Sequence, residues 1–293
     1  MSRVADINDG RRATRVPGWR AFCAHNGSLI AGAAVLLLFI GIALLGPILG
    51  ATDPQAMVTS QRLQSPSLEH WFGTDRLGRD IYSRVVYGTS SSLAVGVAVA
   101  VLGCALGTLF GLIAGYVRWL DSVVMRIKDG IMSIPSIMVA IATISVAGAS
   151  LVSVVAAIAI NDVPRVARLV RSAMLSLREE PYVEAAAVLG SPGYFILLRH
   201  MLPSVLAPLA VLGTHIAASA MLLEATLSFL GCGLPPDIPT WGNIMADGRI
   251  LFRIAPWIIL FPGLTLAVAV LAINLLGDGL RDLVDPASAG RER

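Results

Sequence analysis

LAVGVAVAVLGCALGTLFGLIAGY, residues 93–116, carries no charged side chain, and its reading decides the class of fold. About 20 residues of helix cross the ~30 Å hydrocarbon core of a bilayer. A helix also satisfies its own backbone where no water is available to do so. Within the stretch Gly103, Gly107, Gly111 and Gly115 recur every fourth residue, so they stack on one face and let another helix come very close. The sequence leaves open whether that neighbour lies in this chain or in another.

Five further apolar runs lie at 28–49, 131–147, 151–170, 202–230 and 254–276, and Pro135 falls within the shortest. The 293 residues are 56% hydrophobic and 14% charged, against the ~25% charged usual for soluble domains. The expectation is an all-α polytopic membrane protein of about six transmembrane helices. It divides into a cytoplasmic segment 1–27, a first helix 28–49, a periplasmic segment 50–92, a five-helix core 93–280 with a cytoplasmic loop 171–201, and a tail 281–293. The first run is longer than the usual core of a cleavable signal peptide and is read as a retained helix. Cys23, Cys104 and Cys232 fall at different depths or sides, which suggests neither a disulfide nor a metal cluster.

Basic residues beside short loops set orientation. With both termini in the cytoplasm, sixteen of the 22 lysines and arginines lie inside, and Arg62, Arg76, Arg79, Arg84, Arg249 and Arg253 lie outside. The opposite orientation reverses that bias. No basic groove or motif supports a nucleic-acid partner.

The inside connection reads Glu184-Ala185-Ala186-Ala187-Val188-Leu189-Gly190, then nine residues, then His200-Met201-Leu202-Pro203. Pro181 suits a first helical turn and Gly190 a left-handed end, so a short helix is expected over 181–189. Glu179, Glu180 and Glu184 cluster near its positive end, and Ala185 and Ala186 offer a shallow face. On those features alone an alanine-rich connector lying on the membrane surface is the better explanation of the segment.

The spacing resembles the signature of permease subunits in binding-protein-dependent ABC importers: Glu-Ala-Ala, three residues, Gly, nine residues, then an apolar residue, any residue, Leu and Pro. His200 replaces the apolar residue, as in the oligopeptide and dipeptide branch. Two other stretches are similar to the second permease subunit of the peptide and nickel importers. One is Phe72-Gly73-Thr74-Asp75-Arg76-Leu77-Gly78-Arg79-Asp80 followed by Ser83-Arg84. The other runs from Leu227-Ser228-Phe229-Leu230-Gly231 through Trp241-Gly242 to Asn274-Leu275-Leu276-Gly277-Asp278-Gly279-Leu280-Arg281-Asp282.

The resemblance implies a type I ABC importer permease fold in a bacterial inner membrane, forming half of a pathway for peptides or related small solutes. It implies a second homologous permease, two cytoplasmic ATPases, an extracytoplasmic binding protein and membrane lipid as partners. Glu184, Ala185, Ala186, Gly190, His200, Leu202 and Pro203 would then couple to the ATPases, while Asp75, Arg79, Asp80 and Arg84 would serve a gate or dock the binding protein. This chain is expected to be non-catalytic and to hold no cofactor or metal. ATP and Mg would be bound by the partner ATPases, since the only lysine, Lys128, lies in Ile127-Lys128-Asp129 and not in a Walker A loop.

Ionisable residues within membrane helices are costly and mark function. Glu224 is expected to face either a polar pathway or a buried hydrogen-bonding partner, and His215, nine residues earlier, to be packed or hydrogen-bonded. Asn161 and Asp162 read as helix-end chemistry near the inner end of the fourth span. A secondary transporter would carry more buried ionisable groups, and a membrane enzyme would show a zinc motif or a nucleophile with its base; neither pattern is present.

Overall fold

The computed structural model describes residues 26–46, 48, 52–116, 126, 129–130 and 132–284. Most of the expected segment 1–27, the tail beyond residue 284, Cys23 and Lys128 lie outside the described residues.

The described chain is helical. α1 (Gly27–Leu45), α2 (Ile81–Tyr116), α3 (Ser136–Ala147) and α4 (Leu151–Leu177) precede the short α5 (Pro181–Val188). A single turn at Gly193–Phe195 and a π-helical stretch at Ile196–Met201 then run into α6 (Leu202–Phe229). α7 (Trp241–Gly248) and α8 (Trp257–Val284) complete the order. Each of the six expected spans falls on a helix. Four helical stretches are long and apolar enough to cross a membrane: α1, most of α2 and of α8, and the continuous run from Gly193 to Phe229. α3 is apolar but only 12 residues long, and α4 interrupts its apolar character with Asp162, Arg165, Arg168 and Arg171.

α2 begins at Ile81, well before residue 93. Its first turns carry Ser83, Arg84, Thr89 and Ser92, which hydropathy alone assigns to a loop, yet all four are buried by protein. α4 likewise continues to Leu177, so Asn161 and Asp162 lie in mid-helix and not at an end. Asn161 Nδ2 approaches the carbonyls of Ser136 and Ala157, and Asp162 pairs with Arg165 at 3.6 Å.

Packing follows the small residues. A Cβ on Gly107 would lie 2.4 Å from the Val166 Cβ, one on Gly111 2.7 Å from the Val170 Cβ, and one on Gly115 2.9 Å from the Met174 Cβ. The glycine face of α2 is therefore occupied by α4 of the same chain. Arg178, just beyond α4, donates to the Gly115 carbonyl, where a cation is favoured at a helix C-terminus. α1 lies on α8 in the same manner: a Cβ on Gly32 would meet the Leu276 backbone at 2.6 Å, and one on Gly279 would meet Leu29. α6 crosses between these pairs, and its buried residues Ile216, Ala220 and Leu227 share one apolar core with α2 and α4, while Ala217, Met221 and Ala225 share another with α7 and α8.

Candidate functional site

The segment 171–201 sits at one end of the bundle. Pro181 takes the first turn of α5, where its missing N–H costs nothing. The helix closes on a Schellman pattern: Ser191 N donates to the Ala186 carbonyl and Gly190 N to the Ala187 carbonyl, with Gly190 at φ +80°. A left-handed residue of this kind is glycine's usual role at a helix end. Val183 and Ala186 are buried beneath the helix, whereas Glu184, Ala185, Val188 and Leu189 face outward. The two signature alanines thus divide their work, Ala186 seating the helix and Ala185 sharing its open face with Glu184. Tyr182, Val188, Leu189, Tyr194 and Leu198 are exposed apolar side chains around this face.

Downstream, Pro203 has no N–H for the carbonyl four residues back, and the preceding Ile196–Met201 adopts the wider π geometry. His200 lies in that turn, its ring 5.7 Å from Phe195 in an edge-on arrangement. Leu202 and Pro203 open α6. The signature residues therefore occupy one continuous unit of capped helix, turn and helix start.

At the opposite end, the loop before α2 folds on itself through Gly73 and Gly78, both at positive φ. A Cβ on Gly78 would lie 1.9 Å from the Val58 carbonyl oxygen, so only glycine fits there. Asp75 is fully buried. Its Oδ1 accepts from Leu77 N at 2.8 Å and Arg79 N at 2.9 Å, and its Oδ2 from Arg79 Nε at 2.6 Å and Arg84 Nη1 at 2.9 Å. Asp247 of α7 completes the cluster, its Oδ2 accepting from Arg79 Nη2 at 2.7 Å and Arg84 Nη1 at 2.8 Å. Asp75, Arg79 and Arg84 are buried and Asp247 is partly so, with the exposed Arg76 3.6 Å from its Oδ1, and each buried charge thus has an opposite partner, which is the condition for burying charge at tolerable cost. Asp80 belongs to a neighbouring set, accepting from Ser83 N and Oγ and meeting His70 Nδ1 at 3.0 Å.

α7 is held at its other end too. Thr240 caps it, accepting from Asn243 N, and donates to Glu224 Oε1 at 3.0 Å, while Ser228 donates to the same oxygen at 2.8 Å. Trp241 N donates to Ser92 Oγ, and Trp241 Nε1 to the Val85 carbonyl. Glu224, which sequence left between a pathway and a buried partner, has the buried partners. His215 differs from expectation: it is exposed, makes no hydrogen bond among the described residues, and lines a cavity of about 520 Å³ between α4, α6 and α8. Asp247 was not singled out by sequence, since it is one acidic residue in a mixed connection, 163 residues from its partner Arg84.

Among known proteins, residues 107–289 match the model of the family described as "binding-protein-dependent transport system inner membrane component". A probable peptide ABC transporter permease protein y4tQ of Sinorhizobium fredii is 49% identical, over 90% of both chains. The dipeptide transport system permease protein DppC of Alkalihalophilus pseudofirmus is 44% identical over 93% of this chain and 91% of its own. The glutathione transport system permease protein GsiD of Pectobacterium atrosepticum is 41% identical over 92% and 89%. A chain of the inward-facing MetNI methionine ABC transporter superposes with a TM-score of 0.57 at 22% identity, covering 70% of this chain and 98% of that one, and so shares the fold. This chain therefore belongs to the inner membrane components of binding-protein-dependent transport systems.

Proposed function

We infer that this chain is one permease subunit of an ATP-driven peptide importer and forms half of its translocation pathway by alternating access. The observation that carries the reading is α5, a capped helix at one end of the bundle whose outer face shows Glu184, Ala185, Val188 and Leu189 and whose end is fixed by Gly190. A short rigid element between two long helices transmits a push as a lever. Its apolar rim with one carboxylate suits a groove on another protein, and the similarity to peptide and dipeptide permeases supports ATPase subunits as the owners of that groove.

On this reading both termini and α5 face the cytoplasm, and the bias of basic residues supports that orientation. ATP and Mg²⁺ are bound by two partner ATPases, a second permease completes the pathway, and a binding protein delivers the solute from outside. The charge cluster of Asp75, Arg79, Arg84 and Asp247, with Asp80 beside it, then lies at the outer end. There it holds α7 against the start of α2 as one body, which can close or open against the second permease.

The test is a pair of substitutions in reconstituted complexes. Gly190→Val forces a side chain into a conformation costing a non-glycine residue about 1 kcal/mol and crowds the docked face. Glu184→Ala removes a charge-assisted contact worth roughly 1.5–3 kcal/mol when its partner is buried. Both variants insert normally yet lose stimulated ATP hydrolysis and uptake. Wild-type uptake and hydrolysis in both would show that α5 is a passive connector.

A further inference from the structure

The cavity of about 520 Å³ between α4, α6 and α8 lies at the α5 end of the bundle, and its size is that of small-molecule sites. Its lining follows helical spacing. On α6 it runs at i, i+3, i+4 and i+7 from Pro208 to His215, and on α8 by the same steps from Asn274 to Arg281. One face of each helix therefore turns toward the same space. Gly277 brings the two faces together, since a Cβ there would lie 2.3 Å from Thr214 Oγ1.

These faces carry polar groups whose bonding capacity is unused. Asn274, Asp278 and Arg281 make no hydrogen bond or ion pair among the described residues, and His215 makes no hydrogen bond. The acid and the guanidinium stand one helical turn apart and nonetheless do not pair. This contrasts with the opposite end of the molecule, where each carboxylate of the buried cluster is matched to arginine. His215, Asp278 and Arg281 are exposed to this open space and Asn274 is half-buried, so each is placed to bond a molecule that enters it.

We propose that this cavity is a transient binding site for a dipeptide-sized zwitterion on its way through the pathway, resting on the peptide reading above. Arg281 takes the carboxylate through its planar fork, which matches that group in two parallel hydrogen bonds. Asp278 takes the ammonium. Asn274 and His215, each offering a donor and an acceptor, address the peptide bond between them. Side chains three apart on a helix are about 5–6 Å apart, and an extended dipeptide spans at most about 7 Å, so one molecule reaches both charges. A longer peptide leaves one of its ends outside the pair.

The probe is dialanine, compared with its N-acetyl and C-amide derivatives. In assembled complexes a thiol introduced by Leu212→Cys, on the cavity wall, is alkylated from the α5 side and its rate read by mass spectrometry. Dialanine slows alkylation, and each blocked derivative needs about tenfold more to do the same, the size of one charge-assisted hydrogen bond. Arg281→Gln abolishes the difference between dialanine and its amide but keeps the difference from the acetyl form, and Asp278→Asn does the reverse. Complexes that import dialanine but show no protection, or equal protection by all three compounds, overturn the site while the permease reading stands. Complexes that import another solute and no peptide overturn the site together with the peptide reading.

Discussion

Substituting alanine along the glycine face of α2 gives a graded series whose order is set by the α2–α4 contact. At Gly103 the added methyl meets its nearest atom, the Asp162 Cβ, at 3.6 Å, which is ordinary contact. At Gly107 it would stand 2.4 Å from the Val166 Cβ and 2.9 Å from the Val163 carbonyl oxygen, atoms fixed to the α4 backbone that no rotamer change moves. Reaching the 3.5–4.0 Å optimum for carbon pairs requires the helices to part by about 1 Å. Overpacking of this kind costs about 1–3 kcal/mol, and separation also loosens the Gly111–Val170 and Gly115–Met174 contacts along the same seam. Alanine's advantage over glycine within a helix is about 1 kcal/mol in the other direction. Gly103→Ala is therefore neutral or stabilising by up to about 1 kcal/mol, whereas Gly107→Ala is destabilising by about 1–2 kcal/mol, with Gly111→Ala close behind. Unfolding midpoints of the purified chain in detergent, without its partner permease, rank the variants. Gly103→Ala as damaging as Gly107→Ala, or a Gly107→Ala chain as stable as wild type, would refute the intrachain seam.

Asp247→Ala leaves Arg84, whose side chain is 2% exposed, with Asp75 alone; removal of one partner from a buried pair costs about 3–5 kcal/mol. The double variant Asp247→Ala, Arg84→Met recovers part of that loss in thermal unfolding, and strict additivity of the two single changes would show that the pair is not coupled. For topology, single cysteines at Ser67 or Asp237, in a chain freed of its native cysteines, react with a membrane-impermeant label applied outside, while one at Ser191 does not. The reverse pattern would invert the orientation.

α1, α2, α6 and α8 are legible from hydropathy because lipid imposes one requirement over some 20 residues at a time, whereas only the first turns of α4 before Asp162 carry an unbroken apolar run. The short α5 was legible from its punctuation, Pro181 and Gly190, which act locally. What escaped was each feature made by distant segments. The start of α2 is hidden because Ser83, Arg84 and Ser92 resemble loop residues until Thr52, Asp247 and Trp241, their distant partners, are in place. Asp247 had no local signal. Sequence spacing showed that the glycines share a face but not that Val166, Val170 and Met174 fill it. The packed reading of His215 fails because the sequence does not say where α8 lies, and the grouping of Thr214, His215, Asn274, Asp278 and Arg281 arises only when α6 and α8 cross.

The importer reading is tested by uptake into proteoliposomes containing this chain, the second permease and the ATPases, supplied with the binding protein outside, ATP within and labelled dialanine. An ATP-driven importer gives concentrative uptake that stops when any one component is omitted, including this chain, and when ATP is replaced by a non-hydrolysable analogue. Uptake that persists without the ATPases or without ATP would contradict that reading and make the chain an autonomous carrier.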